Sequence, residues 1–271
     1  WTRELGGTIA GLLATLLYAA DPNIIAHSHY VTTDIGIAAT VFAAAYFFVR
    51  FLRHPGWQSM FIAGFFIGLA EASKFSAVLL FPIFGLFLLA YAATKRQPAT
   101  DTATALVFRL RTYLSYVSLF VGSVAVSFVL IWAIYALNIY AMPAEKVSAL
   151  ADLFLSQPNT PARISHDIIT DMGQSPLLRP FAVYFVGVAK VFSRVEAGNV
   201  YYYFGTVSDQ AKASYFPIVF LFKETLPFLF LLISTLAYTL YRAAKSFIGE
   251  RSGGLSVWQI FARSFQARTA Q

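Results

Sequence analysis

The chain alternates long hydrophobic blocks with short polar connectors. A helix that crosses a bilayer needs about 20 apolar residues, and most of these blocks approach that length. The block over 59–93 is about twice as long and is interrupted by EASK at 71–74, so we predict two helices there. Uninterrupted blocks of this kind are typical of membrane-spanning helices. We therefore predict an all-α polytopic membrane protein with about six spanning helices, over 5–20, 35–53, 59–73, 75–93, 113–138 and 214–241.

The segment 139–213 has a different character from the hydrophobic blocks. It is too long for a simple connector and too polar for the bilayer interior. Within it, FAVYFVGVAKVF at 181–192 is apolar but shorter than a span, which indicates a helix lying in the membrane interface. We expect a long outer-face loop that carries this interfacial helix. The loop is interrupted by prolines, at Pro143, Pro158, Pro161, Pro176 and Pro180.

The composition supports the membrane assignment. The chain is 58% hydrophobic and only 12% charged, about half the charged fraction of an ordinary soluble domain. A net charge of +7 can indicate nucleic-acid binding. Here many basic residues directly follow the hydrophobic blocks, where Lys and Arg determine topology, so we expect no nucleic-acid partner. The absence of cysteine excludes disulfides and thiolate chemistry in this chain.

The basic residues also predict an orientation. The connector 21–34 contains no Lys or Arg, which favours the outer face. Long loops cross largely regardless of charge, so the basic residues of 139–213 do not oppose this topology. We expect both ends of the chain in the cytoplasm, and the connector, the EASK break and the long loop at the outer face. The predicted cytoplasmic cations are Arg3, Arg50, Arg53, Lys95, Arg96, Arg109, Arg111, Arg242, Lys245, Arg251, Arg263 and Arg268.

The connector ends in HSHYVTTD, at 27–34, which is rich in hydrogen-bonding groups. Asp34 stands where a helix begins, so its position favours an N-cap, which is compatible with a carboxylate that accepts a proton or binds a cation. His27 and His29 are two residues apart and would share a face only in an extended segment. Hydrogen bonding to a substrate or phosphate is one role for these histidines. A divalent cation held by His29 and Asp34 is another.

Further candidate residues interrupt apolar runs elsewhere. Glu71 and Lys74 lie within the longest block, either as a pair at a helix end or as functional charges in the membrane. Lys223 repeats this pattern before the last predicted helix. Two lysines at one membrane level would suit an anionic ligand. The aromatic group YYYFG at 201–205, with Tyr202, suits either an interfacial aromatic belt or the lining of a sugar or prenyl groove.

Three segments together resemble a known family. They are PNIIAHSHYVTTDIGIAATVF, GFFIGLAEASKFSAVLLFP and GNVYYYFGTVSDQAKASYFPIVFLFKETLPFL, and they span residues 22 to 229. They resemble the C-type membrane glycosyltransferases, the superfamily of dolichyl-phosphate-mannose–protein mannosyltransferases and of bacterial aminoarabinose transferases of lipid A. The resemblance implies transfer of a sugar, with inversion, from a polyprenyl-phosphate carrier to a protein, lipid or glycan acceptor. It implies a bacterial cytoplasmic membrane, with the site facing the periplasm.

The resemblance also implies roles for single residues. Asp34 matches the acidic residue that opens a helix after the family's second outer loop, where it would orient the acceptor, hold a cation or assist the base. Lys74 and Lys223 match basic residues that would stabilise the leaving phosphate. The family's first outer loop, which carries the acidic motif assigned as catalytic base, would precede Trp1, and further helices would follow Gln271. We therefore expect a piece of a longer protein that is inactive alone.

Two other functions compete with glycosyl transfer. In a transporter or lipid flippase, Asp34, Glu71 and Lys74 would form an ion or proton path. In a membrane scaffold, every charge would be a helix cap or an anchor. The predicted clustering of charges at the outer face, rather than at the bilayer midplane, favours an enzyme with an outer-face site over a permeation path.

Overall fold

The computed structural model describes residues 1–30, 32–95, 102–155, 160–197, 200–210 and 212–250, and these are almost entirely helical. In chain order the helices are α1 Thr2–Ala19, α2 Pro22–His29, α3 Asp34–Arg53, α4 Trp57–Ser73, a 3-10 helix Phe75–Leu79, α5 Leu80–Ala93, α6 Thr102–Asn138, α7 Ala144–Leu155, α8 Thr160–Gln174, α9 Arg179–Ala197, α10 Tyr215–Lys223 and α11 Leu226–Glu250. The strands β1 Tyr201–Tyr203 and β2 Thr206–Ser208 form an antiparallel hairpin between α9 and α10.

The described helices confirm the predicted fold class. Within the described residues, four stretches are long and apolar enough to span a bilayer, and α1 with α2, bent by 55°, would make a fifth. The predicted total of six is not reached by this test, since α4 has only 17 residues. At about 1.5 Å per residue, the length of α4 is slightly less than the thickness of a typical hydrocarbon core. The four stretches are Asp34–Arg53, Phe75–Ala93, Val107–Asn138 and Leu226–Lys245.

Two compact units make up the chain. The first joins Trp1–Thr32 to the segment that begins at Gln210, and the second runs over Thr33–Asp209. In the first unit, the expected helix over 214–241 is divided into α10 and α11, because Glu224 is extended (ψ 149°). Pro227 is the second residue of α11, where its missing N–H is harmless, whereas inside a longer helix it would break a backbone hydrogen bond.

The second unit is built on the antiparallel pair α3 and α4, with α6 packed against α4. Buried apolar side chains, among them Phe48, Phe51 and Ile67, form its core. Gly64 and Gly68 let the backbones of α4 and α6 approach closely. A Cβ at Gly64 would collide with the Ser123 carbonyl oxygen. This GxxxG spacing is common where helices pack closely in membranes. There the hydrophobic effect does not drive helices together, and small residues allow the close van der Waals packing that does.

The expected outer loop is itself largely helical. Helices α7, α8 and α9 pack on each other around a small core of Val147, Ala151 and Val186. Helix α9 includes the predicted interfacial helix, and it packs on α6 and on the 3-10 helix. The Trp132 indole on α6 donates a hydrogen bond to the Leu177 carbonyl oxygen at 2.8 Å. The three helices therefore form a layer seated on the core of the second unit.

Candidate functional site

Asp34 and Lys74 form an ion pair at one end of the α3–α4 pair. The Lys74 ammonium lies 3.1 Å from Oδ1 of Asp34, and both side chains are nearly half exposed, at 46% and 44%. Asp34 is the first residue of α3 and Lys74 directly follows α4, so the antiparallel packing brings them together. Thr33, rather than Asp34, occupies the N-cap position. In the first turn a carboxylate is still favoured by the helix dipole.

Lys74 lies at a break between two helices. Its backbone is extended (φ −161°, ψ 128°), between the end of α4 and the 3-10 helix. Its N–H donates to the Ala70 carbonyl oxygen, while its own carbonyl oxygen accepts from Ala77 N–H. These two bonds satisfy both backbone polar groups of Lys74 at the break. The break directs the lysine side chain towards Asp34 instead of along the helix surface.

Glu71 is separated from this pair and is buried. It is 1% exposed, and its Oε2 accepts a hydrogen bond of 2.9 Å from the Tyr184 hydroxyl on α9. Among the described residues, Oε1 has no hydrogen-bond partner. The Tyr184 ring is itself fully buried, beside Phe75 and Tyr135. The Glu71–Lys74 pairing considered from sequence is thus replaced by two separate contacts, Lys74 with Asp34 and Glu71 with Tyr184.

The two histidines belong to the first unit, on α2. The helix starts at Asp21, whose Oδ1 accepts from the N–H groups of Asn23 and Ile24. His27 and His29 are therefore helical, about 200° apart around the axis, and do not share a face. Nδ1 of His29 lies 2.7 Å from the Ile25 carbonyl oxygen and donates to it. Within the part of the chain described, no three His, Asp or Glu side chains are grouped to hold a metal.

Lys223 ends α10 in the first unit, and its side chain is exposed. Its carbonyl oxygen accepts a hydrogen bond of 2.7 Å from the Asn23 side chain, so the end of α10 is tied to the start of α2. Sequence reasoning did not single out Asn23. A single amide in a polar connector carries no signal of a partner 200 residues away.

Tyr202 lies in the second unit, at the centre of β1 opposite Val207, and is 68% exposed. Phe204 and Gly205 form the two-residue turn, both with positive φ (47° and 83°). Such turns match the twist of a hairpin. The exposed side chains of Tyr202, Phe204 and Val207 leave this hairpin with an apolar surface.

One comparison with known proteins relates directly to this geometry. Residues 1–110 match the family model described as dolichyl-phosphate-mannose-protein mannosyltransferase. Searches of curated proteins and of solved structures returned no match. The matched part contains Asp34 and Lys74, and also Glu71 and the two histidines, whereas Tyr202 and Lys223 lie outside it. The resemblance to the mannosyltransferase family is therefore confirmed over residues 1–110, and the third segment that suggested it lies outside the match.

Proposed function

We propose that this chain is part of a membrane glycosyltransferase whose site includes Asp34 and Lys74. It would move a sugar from a polyprenyl-phosphate carrier to an acceptor with inversion. The observation that carries the proposal is the 3.1 Å ion pair, which unites the two charges within the family-matched residues. The acceptor is a protein, as the family's description says, or a lipid or glycan. The site faces the periplasm of a bacterium in the topology expected from the basic residues.

The chemistry of the pair suits this reaction. Transfer with inversion needs a base that takes a proton from the acceptor, and a cation where the leaving phosphate develops charge. A lysine ammonium has three N–H donors, and its contact with Asp34 uses one. Two donors therefore remain for phosphate oxygens, and the nearly half-exposed position lets a ligand reach them. Asp34 orients the acceptor, holds a divalent cation or assists a base elsewhere in the full-length protein.

The other candidate residues enter the proposal as substrate-binding groups. In the first unit, Lys223 offers a cation, and His27 and His29 offer hydrogen bonds. Tyr202 offers an aromatic surface to a sugar or a prenyl chain. Glu71 supports the site from within, because it joins the last turn of α4, just before Lys74, to Tyr184 of α9.

The test uses the full-length protein in membranes, with labelled sugar on a polyprenyl phosphate. Asp34→Asn and Lys74→Ala should each lower transfer by about 100-fold or more, the usual loss of a base or of a charge-stabilising donor. Lys146→Ala is the matched control, since Lys146 is an exposed lysine of the same unit. It should retain near-normal transfer.

Two results would contradict the proposal. One is Asp34→Asn or Lys74→Ala with the activity of the control, at equal expression. The other is an absence of transfer from every polyprenyl-phosphate sugar, together with substrate or lipid flux that depends on Asp34, Glu71 and Lys74. The second result would favour the transporter or flippase.

A further inference from the structure

A cleft opens at the end of the α3–α4 pair opposite Asp34 and Lys74. Its volume is about 270 Å³, and it lies at the turn that joins the two helices. Since α3 has 20 residues, about 30 Å separates its two ends. The cleft is therefore distinct from the candidate glycosyl-transfer site. Its lining residues are Phe47, Arg50, His54, Gln58, Ser59 and Ile62.

The lining is divided into a polar and an apolar level. Arg50, His54 and Gln58 lie near the turn, and all three are exposed. Phe47 and Ile62 lie about one helical turn further from it, along α3 and α4 respectively. The polar level is thus at the end of the helices, and the apolar level lies towards the middle of the bilayer. This order matches the headgroup and the first acyl carbons of a phospholipid.

The polar level offers donors suited to an anion. Arg50 uses one guanidinium N–H on the Tyr46 hydroxyl, at 3.2 Å, and a guanidinium has five. His54 and Gln58 add a ring nitrogen and an amide. The Ser59 hydroxyl is already engaged, because it donates to the His54 carbonyl oxygen at 2.7 Å. Arginine is well suited to phosphate oxygens, since its planar fork can bind two of them at once.

The charge around the cleft is positive. No acidic residue occurs in the sequence between Asp34 and Glu71, which lie at the far ends of the two helices. The part of α6 near Tyr116 reaches this end, since the Tyr116 hydroxyl donates to the Leu52 carbonyl oxygen at 3.0 Å. Arg111 lies five residues earlier on α6, and α3 itself carries Arg53. A concave site among cations attracts anions more strongly than an isolated surface charge does.

We propose that this cleft binds the phosphodiester headgroup of an anionic membrane phospholipid. Arg50 holds the phosphate oxygens, His54 and Gln58 donate to the headgroup, and Phe47 and Ile62 contact the upper acyl chain. The apolar level and the position at the end of a spanning helix favour a lipid over free phosphate. In the expected topology this is the cytoplasmic leaflet, where anionic lipids attract basic segments. The inference does not depend on the proposed enzymatic activity.

The test measures lipid binding to the full-length protein in neutral detergent by native mass spectrometry. Phosphatidylglycerol is compared with phosphatidylcholine, which has the same phosphodiester but no net charge. Phosphatidylglycerol should bind about tenfold more tightly, and Arg50→Gln should remove most of that preference. Arg111→Gln is the matched control, because it deletes the same charge at the same end of the bundle, outside the cleft. It should change the affinity less than about twofold.

Additional variants guard against a folding defect. If Arg50→Gln lowers the melting temperature of lipid-free protein, then Arg50→Lys and Gln58→Ala replace it, and each should weaken phosphatidylglycerol binding several-fold. Equal losses in Arg50→Gln and Arg111→Gln would overturn the proposal in favour of diffuse surface charge. Equal binding of the two lipids would also overturn it. Complete competition by inorganic phosphate would instead identify a site for the free anion.

Discussion

At the scale of single residues, the buried contact between Glu71 and Tyr184 has the clearest energetic consequence. A carboxyl that is 1% exposed keeps one hydrogen bond to a fully buried hydroxyl, and this bond joins α4 to α9. A buried polar group that loses its partner carries the full penalty of having left water. Removing only one of the two partners should therefore cost more stability than replacing both with apolar groups.

We predict that Tyr184→Phe destabilises the protein by about 1–3 kcal/mol, because it leaves the Glu71 carboxyl without a donor. Glu71→Leu added to Tyr184→Phe should restore part of this loss, since both polar partners are then removed. Thermal unfolding in detergent measures both effects. Tyr140→Phe is the control, because Tyr140 is 88% exposed and its hydroxyl should contribute little. If the double variant loses as much stability as Tyr184→Phe and Glu71→Leu lose together when each is made alone, the two residues are not coupled and the prediction is wrong.

At the scale of helices, the close approach of α4 and α6 depends on glycine. Gly64→Ala would place a methyl group against the Ser123 backbone, and backbone cannot move aside as a flexible side chain does. We predict a loss of about 1–3 kcal/mol, which is typical of overpacking. Gly36→Ala in α3 is the matched control, because nothing lies within 4 Å of its Cβ position. It should be neutral or slightly stabilising, and a similar loss in both variants would contradict the packing argument.

The contact between α7 and α8 should depend on pH. His166 donates to Asp152 at 2.8 Å and to Asp167 at 3.1 Å. Only the imidazolium donates from both nitrogens. The hydrogen bond to Asp152, followed by that to Asp167, raises the pKa of His166 above its usual value. Because the pKa of His166 is higher in the folded protein, its protonated form stabilises the fold. This stabilisation is complete below the pKa of the unfolded chain, about 6.5, and is lost as the pH rises through the pKa of the folded protein.

Hydrogen exchange of the α7 and α8 amides measures this dependence. After correction for intrinsic exchange, protection should be greater at about pH 6 than at about pH 9, and His166→Gln should remove most of the difference. Asp167→Asn should reduce it only in part, since the bond to Asp152 remains. An unchanged pH dependence in His166→Gln would show that other groups titrate.

At the scale of the whole molecule, the arrangement of the second unit predicts its topology. The α3–α4 turn and the part of α6 near Tyr116 lie at one end, as the Tyr116–Leu52 contact shows, and α6 then runs to the other end. We predict that Pro55→Cys is labelled by a membrane-impermeant maleimide only after permeabilisation, and Tyr140→Cys without it. The chain has no cysteine of its own. Labelling of both from the same side would contradict the predicted orientation.

The sequence predicted some of these features and not others, for physical reasons. Hydrophobic blocks report the membrane environment directly, so the all-α polytopic class could be predicted from composition and block length. The Asp34–Lys74 contact spans 40 positions and arises only when α3 and α4 fold back on each other. Composition alone does not specify such a contact. No sequence pattern indicated that Tyr184 would contact Glu71. The spacing of Gly64 and Gly68, by contrast, is a recognisable helix-packing pattern, and it was not used to predict the contact between α4 and α6.

The ion pair between Asp34 and Lys74 has one more consequence for the proposed enzyme. The Lys74 ammonium lies 3.1 Å from the Asp34 carboxylate, so each charge partly neutralises the other. A donor phosphate that attracts the Lys74 ammonium would weaken this contact at the moment when an activated acceptor becomes useful. The pair would then act as an interlock, making donor binding the condition for acceptor activation and protecting a high-energy carrier from wasteful hydrolysis.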